Sequence, residues 1–177
     1  MKYKVKALVI LIGIVFSVMV QANDLVPIKV LNGKVAIIAP KDFTPMPQES
    51  LEIKYPGSRR PTEVLSDKTT QVTLAFNYTN SQMSKAALVS SHTTLSKMFH
   101  NLYPSAEWIR DEVIQQNGYP FIVLEVVTPA VDTQIHNIIY ATSVDERFLL
   151  VSFNTTVEKA QEWLPLGKKM MESLVIN

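Results

Sequence analysis

Asn117-Gly118-Tyr119-Pro120-Phe121-Ile122-Val123-Leu124-Glu125-Val126-Val127 decides the fold. Asn-Gly supplies two positive-φ positions at little steric cost, so it closes a tight hairpin. The run behind it is apolar at odd and even positions alike, as in a strand buried on both faces. Upstream, Glu107 to Gln115 is the strand that enters the turn. Downstream, Pro129 breaks the run, and Thr133 to Val144 and Arg147 to Asn154 form a further pair joined across Asp145-Glu146. Three successive hairpins predict an antiparallel meander of four strands.

Further out, Leu25 to Leu31 and Lys34 to Ala39 flank Asn32-Gly33 and predict another tight hairpin. Pro40, Pro45 and Pro47 make the next stretch irregular, with a short helical turn over Gln48 to Lys54 closed by Tyr55-Pro56-Gly57. A short edge strand is expected at Thr62 to Leu65. Val72, Leu74, Phe76 and Tyr78 alternate with polar or small residues, the period of a half-buried strand. From Ser84, Leu88, His92, Leu95, Phe99 and Leu102 step by four and three along one helical face, and Pro104 ends that helix. At the C-terminal end, Thr155-Thr156-Val157-Glu158 matches a capping box. Pro165 and Gly167 interrupt the segment it opens, so two short helices or one kinked helix are expected. Trp163, Leu166, Met170 and Leu174 keep an apolar face to lay on the sheet. The fold class is α+β: an N-terminal hairpin, one strand and a four-strand antiparallel meander, flanked by two main helices.

Lys2, Lys4 and Lys6 precede an apolar run from Ala7 to Val20, which ends at Val20-Gln21-Ala22. Charged leader, short apolar run and small final residue are the pattern of a cleaved secretory signal peptide over residues 1–22. The run falls short of the ~20 residues that span a bilayer. A single α+β domain over 23–177 and a periplasmic location are expected in consequence. Without the leader, 16 acidic residues face 14 basic ones. A faintly acidic domain offers no electrostatic footprint for nucleic acid or for a stable membrane anchor. There is no Cys, which excludes a thiol nucleophile, a thiolate metal site and a disulfide scaffold.

The order of elements resembles the PsbP/DcrB-like family, whose fold is shared with the Ran-binding factor Mog. Val35-Ala36-Ile37-Ile38-Ala39-Pro40 with Phe43 looks like the family's opening strand, and Asn117-Gly118-Tyr119-Pro120 is similar to its Gly-x-Pro strand start. Asp145 to Ser152 looks like its late hairpin, and Met171-Glu172-Ser173-Leu174 resembles its closing helix. The resemblance covers Leu31 to the end. It implies an accessory, chaperone-like or protein-binding role without catalytic residues or cofactor.

The residues point the same way. His92 and His100 lie eight apart, off the three- or four-residue spacing that presents two ligands from one helix, and His136 sits alone in a strand. No metal site is expected. Ser90-Ser91-His92 is not a dyad, and no nucleophile elbow, phosphate loop or dinucleotide fingerprint occurs. Glu125 is the one acid in a strongly apolar strand, and an ion pair with Arg110 or Arg147 is its expected state. Arg59-Arg60 beside Tyr55, Pro56 and Pro61 is the favoured surface, because Arg and Tyr are enriched at binding hot spots and Pro preorganises the loop. Tyr55, Arg59 and Arg60 are therefore the candidate partner-binding residues, on an irregular 40–61 segment. The function expected is a non-enzymatic periplasmic protein that binds another protein. Two alternatives stand beside it: an immunity protein that neutralises a periplasm-targeted toxic effector, and a carrier holding an apolar ligand or lipid between helix 84–103 and the sheet.

Overall fold

The computed structural model describes residues 24–57 and 60–177. The expected signal peptide lies outside the described residues, and so does Arg59. In chain order, β1 (Leu25–Val30) and β2 (Val35–Pro40) form a hairpin, followed by a two-residue β3 (Thr44–Pro45), α1 (Gln48–Lys54), β4 (Glu63–Ser66) and β5 (Thr73–Gln82). Two helices come next, α2 (Lys85–Ser90) and α3 (His92–Leu102). Then four long strands run in succession: β6 (Glu107–Gln116), β7 (Tyr119–Pro129), β8 (Gln134–Val144) and β9 (Arg147–Thr156). A 3-10 turn over Val157–Lys159 leads into α4 (Ala160–Glu172) and a two-residue β10 (Val175–Ile176).

The meander forms as its turns dictate. Asn117 and Gly118 both take positive φ, 52° and 78°, and Asp145 and Glu146 do the same at 48° and 58° without a glycine. These are the backbone values that match strand twist in a two-residue hairpin. β9 then picks up β5 on its far side, giving a seven-stranded sheet in the order β3-β4-β5-β9-β8-β7-β6. Every residue of β7 from Pro120 to Thr128 is buried, as its two-sided apolar sequence requires.

The inner face of this sheet carries the larger core. Leu74, Phe76, Phe121, Val123, Ile138, Tyr140, Val151 and Phe153 pack there against Trp163, Met170 and Met171 of α4. The N-terminal hairpin closes this core as a separate small sheet, with β10 pairing against β2 at Val175↔Ala36. The outer face carries two smaller clusters. Met46, Val64 and Ala75 pack with Leu51 and Tyr55 at the α1 end. Leu88 and Phe99 of the α2–α3 pair pack on Ile122, Leu124, Val126 and Ile139 at the other end.

Three expectations are corrected and a fourth is narrowed. The turn at Asn32-Gly33 is wider than two residues: the last pair is Val30↔Val35, and Leu31, Asn32 and Gly33 all have positive φ. Leu31 is drawn in because its side chain is buried and its N–H donates to Glu63 Oε1 at 2.8 Å. The long helix is two helices broken at Ser91, whose hydroxyl donates back to the Leu88 carbonyl at 2.8 Å. That back-bond competes with helix continuation; Leu95 and Phe99 beyond it still pack, while Leu102, the last residue of α3, is 61% exposed. The capping box does not form, because Thr156 makes no side-chain cap and Glu158 accepts from Thr133 Oγ1 at 2.8 Å. Finally, of the two forms expected for the C-terminal segment, the pair of short helices is not seen: α4 is one helix with Pro165 and Gly167 inside it.

Candidate functional site

The 40–61 segment builds a corner of the molecule in which Tyr55 and Arg60 have different jobs. The α1 turn sets Leu51 and Tyr55 on Met46, Val64 and Ala75, so the Tyr55 ring is half-buried wall rather than free surface. Burial raises the Tyr55 phenol above its ordinary pKa, opposed by a hydrogen bond with the Thr73 side chain. Arg60 Nε donates to the Tyr55 carbonyl at 3.1 Å, and its Nη1 lies 3.8 Å from Glu52 Oε1. These two contacts hold a half-exposed guanidinium in place. In the same corner lies an open cleft of about 320 Å³, lined by Pro45, Met46, Leu51, Pro61, Thr62 and Glu63 among others. Ile53 on α1 is 75% exposed. The structure therefore brings Tyr55 and Arg60 together. The cleft and Ile53 escape sequence reading, because only the docking of α1 on β4 creates them.

Glu125 is buried with a partner other than either arginine. Its Oε1 lies 2.8 Å from His136 Nε2 and 3.4 Å from Lys168 Nζ. His136 is buried too, so the pair sits under the α4 flank with the Lys168 ammonium covering it. Arg110 stands opposite Glu125 in register but turns to Glu112 on its own strand. Arg147 donates instead to the Thr79 carbonyl and to Asn80 Oδ1. The ion-pair expectation for Glu125 is corrected in its partner. The signal is present in the sequence: a β7–β8 hairpin pairs Val127 with His136 and Ile138 with Glu125, which puts the acid and the imidazole on one diagonal.

A second polar cluster joins α3 to the edge strand β6. Asp111 Oδ1 lies 2.7 Å from His92 Nε2, and Oδ2 accepts from Ser96 Oγ at 2.5 Å and lies 3.6 Å from His100 Nε2. His100 stacks on Trp108 with ring centroids 3.8 Å apart. Burial pushes the Asp111 carboxyl up, but the Ser96 hydroxyl and the two imidazoles outweigh it, and the net shift is below the ordinary carboxylate value. The carboxylate is the hub here, and Ser96 and His92 both bond to it. A nucleophile-activating chain needs the imidazole in the middle. The arrangement is a clasp between helix and strand. Among the described residues no group of three or more His, Asp or Glu side chains is placed to hold a metal ion.

No family model matches the chain, and no curated relative does. Solved structures do. The solution structure of cyanobacterial PsbP (CyanoP) from Synechocystis matches with a TM-score of 0.61 at 12% identity, covering 88% of this chain and 94% of that one. LpqN of Mycobacterium tuberculosis, described as involved in cell envelope biogenesis, matches with a TM-score of 0.54 at 11% identity over 87% of this chain and 91% of its own. The Ran-binding protein Mog1p of Saccharomyces cerevisiae matches with a TM-score of 0.52 at 10% identity, covering 88% of this chain and 96% of that one. At such identities the likeness shows architecture, and the architecture is the PsbP/Mog-like α+β fold that the order of elements anticipates.

Proposed function

We propose that this chain is an exported, non-enzymatic accessory protein of the cell envelope, located in the periplasm, that docks another protein through its α1 corner. The observation that carries the reading is the Arg60 guanidinium held by the Tyr55 carbonyl, next in sequence to Pro61 of a proline-walled cleft, with Ile53 exposed on α1. A rigid cationic anchor beside apolar surface binds with little ordering cost. The partner it suits presents an acidic side chain next to an apolar one. The leader pattern in residues 1–22 supports export. The engagement of Glu125 and Asp111 by partners within the fold supports a role without catalysis. One protein of this fold is described as Ran-binding, which supports docking as a use of the architecture. Between α2–α3 and the sheet, where the carrier reading would put an apolar ligand, Leu88 and Phe99 pack on Ile122, Leu124, Val126 and Ile139.

Capture from the native host's envelope extract tests this. The expected result is one stoichiometric partner, retained at least about tenfold less well by Ile53→Ser/Arg60→Ala. A toxic effector as that partner assigns the immunity role, and an envelope component the accessory role. An empty capture at low salt, or a partner indifferent to the double substitution, overturns the reading.

A further inference from the structure

α2 and α3 cover the same end of the sheet with unequal grip. The shorter α2 buries Leu88 completely. The longer α3 buries Phe99, with Leu95 packed half-buried beside it, and its Met98 and Leu102 stay exposed. Ser91 separates the two helices, and its hydroxyl is bonded back to the Leu88 carbonyl, so α3 can loosen without drawing α2 after it. A helix with so little apolar anchorage belongs to the low end of local stability.

What apolar burial does not supply, the Asp111 clasp does. His92, Ser96 and His100 step by four, so they form one stripe along the side of α3 that faces β6. All three meet a single carboxylate on the edge strand. His92 Nε2 is 2.7 Å from Oδ1, and His100 Nε2 is 3.6 Å from Oδ2, which also holds the Ser96 hydroxyl.

Imidazole is the side chain that ordinarily changes charge between about pH 5 and pH 8. With both rings neutral, the carboxylate keeps its hydrogen bonds with Ser96 and His92. With both protonated, two cations flank one anion, in a half-exposed setting where each pair adds a modest amount. Helix polarity favours the charge at His100 in the last turn and opposes it at His92 in the first, where the short contact with Asp111 offsets it. The other charged groups face elsewhere. Arg110 and Glu112 flank Asp111 in β6, project from the opposite face of the strand and pair with each other. Glu107 is next to Trp108, which packs on the α3 side, so it too projects from the opposite face. The β7 residues beneath the helix, Ile122, Leu124 and Val126, are apolar. Lys85 of α2 lies over the Tyr119 ring at 3.5 Å, and Lys97 of α3 is turned about 100° from Ser96 around the helix axis.

We propose that Asp111, His92 and His100 form an acid-strengthened latch on α3. As the two imidazoles take up protons the helix is drawn onto β6, and as they lose them it opens more often while the rest of the fold stays shut. Opening uncovers Ile122, Leu124 and Val126, so the latch makes the display of that apolar face depend on pH.

Native-state hydrogen exchange of the purified protein at about pH 5.5 and about pH 7.5, corrected for intrinsic exchange rates, tests this. Protection over Leu95 to Leu102 is expected to fall about fivefold at the higher pH, the loss of two exposed ion pairs, while α2 and β7 keep theirs. Asp111→Asn flattens this dependence, and so does His92→Gln/His100→Gln. The protection of β7 in each variant shows that it is folded. It also registers any effect of His136, whose pair with Glu125 joins β8 to β7 and not to α3. The proposal is overturned if α3 protection is the same at both pH values, if α2 and β7 lose protection equally, or if the dependence survives Asp111→Asn.

Discussion

Gly167 of α4 lies against the ring of Phe153 on β9: a methyl group at position 167 sits well inside 3.0 Å of three ring carbons. Alanine for glycine within a helix ordinarily stabilises by about 1 kcal/mol. Here the sign reverses, because Phe153 is fully buried and the ring has nowhere to go. Gly167→Ala is expected to cost about 1–3 kcal/mol. Phe153→Leu in the same chain makes the double variant cheaper than the sum of the singles. Urea midpoints read both, and a raised midpoint for Gly167→Ala alone refutes the contact.

The buried Glu125–His136 pair predicts a non-additive cycle. His136→Leu leaves a carboxylate buried with only Lys168 beside it, at a cost of about 3 kcal/mol. Glu125→Leu strands the imidazole at about 1–3 kcal/mol. The double substitution replaces the pair by apolar surface, and the coupling should recover at least about 1 kcal/mol. Strict additivity in chemical denaturation would show that the two side chains act separately.

Asp111 sets a pH window. Its folded pKa is held below the ordinary value by Ser96, His92 and His100 against the pull of burial. A depressed carboxyl contributes stability that is fully present above its unfolded pKa of about 3.9 and is lost as pH falls through the lower folded value. Asp111→Asn should therefore be less stable than the parent at pH 6, by no more than about 1 kcal/mol for so shallow a site. The difference should vanish as pH drops below the ordinary carboxylate range. Thermal melts of the two proteins between pH 2 and 6 measure it, and a constant gap across that range counts against the clasp.

The β8–β9 turn holds two non-glycine residues in the left-handed region. Each such residue carries about 1 kcal/mol of strain. Glu146→Gly is expected to raise stability by about 0.5–1 kcal/mol, and Glu146→Val to lower it. Asp145 is left alone because it pairs with Lys34 across the sheets. Equal midpoints for the glycine and valine variants would place the turn in another geometry.

The legible and the illegible features of the sequence divide by range of interaction. Asn117-Gly118 and the apolar run after it specify their hairpin locally, so the meander is legible. Ser84 caps its helix as a local signal should, accepting from the Ala87 N–H at 3.1 Å. The failures are tertiary. Thr155-Thr156-Val157-Glu158 has the composition of a capping box, yet Thr133 from a neighbouring loop takes the glutamate. Leu102 has the right helical phase but is the last residue of α3 and stays exposed where Leu95 and Phe99 pack. Gly167 looks like a helix breaker until Phe153 is placed beneath it. At the candidate site Arg60 is legible as a cation in a proline-rich loop, whereas Tyr55 is wall because α1 docks on β4, a contact no local pattern encodes.

The pairing of β10 with β2 makes one part of the fold depend on contacts far apart in sequence. Val175 and Ile176 bond to strand residues near the other end of the chain, and the Asn177 N–H donates to the Lys34 carbonyl at 2.9 Å. The small sheet is therefore complete only once the segments at 35–36 and 175–176 have met. Until they do, the edge of β2 that β10 covers stands unpaired. Contacts so far apart in sequence form late, because the entropy of closing the long loop is lost before the pairing compensates it.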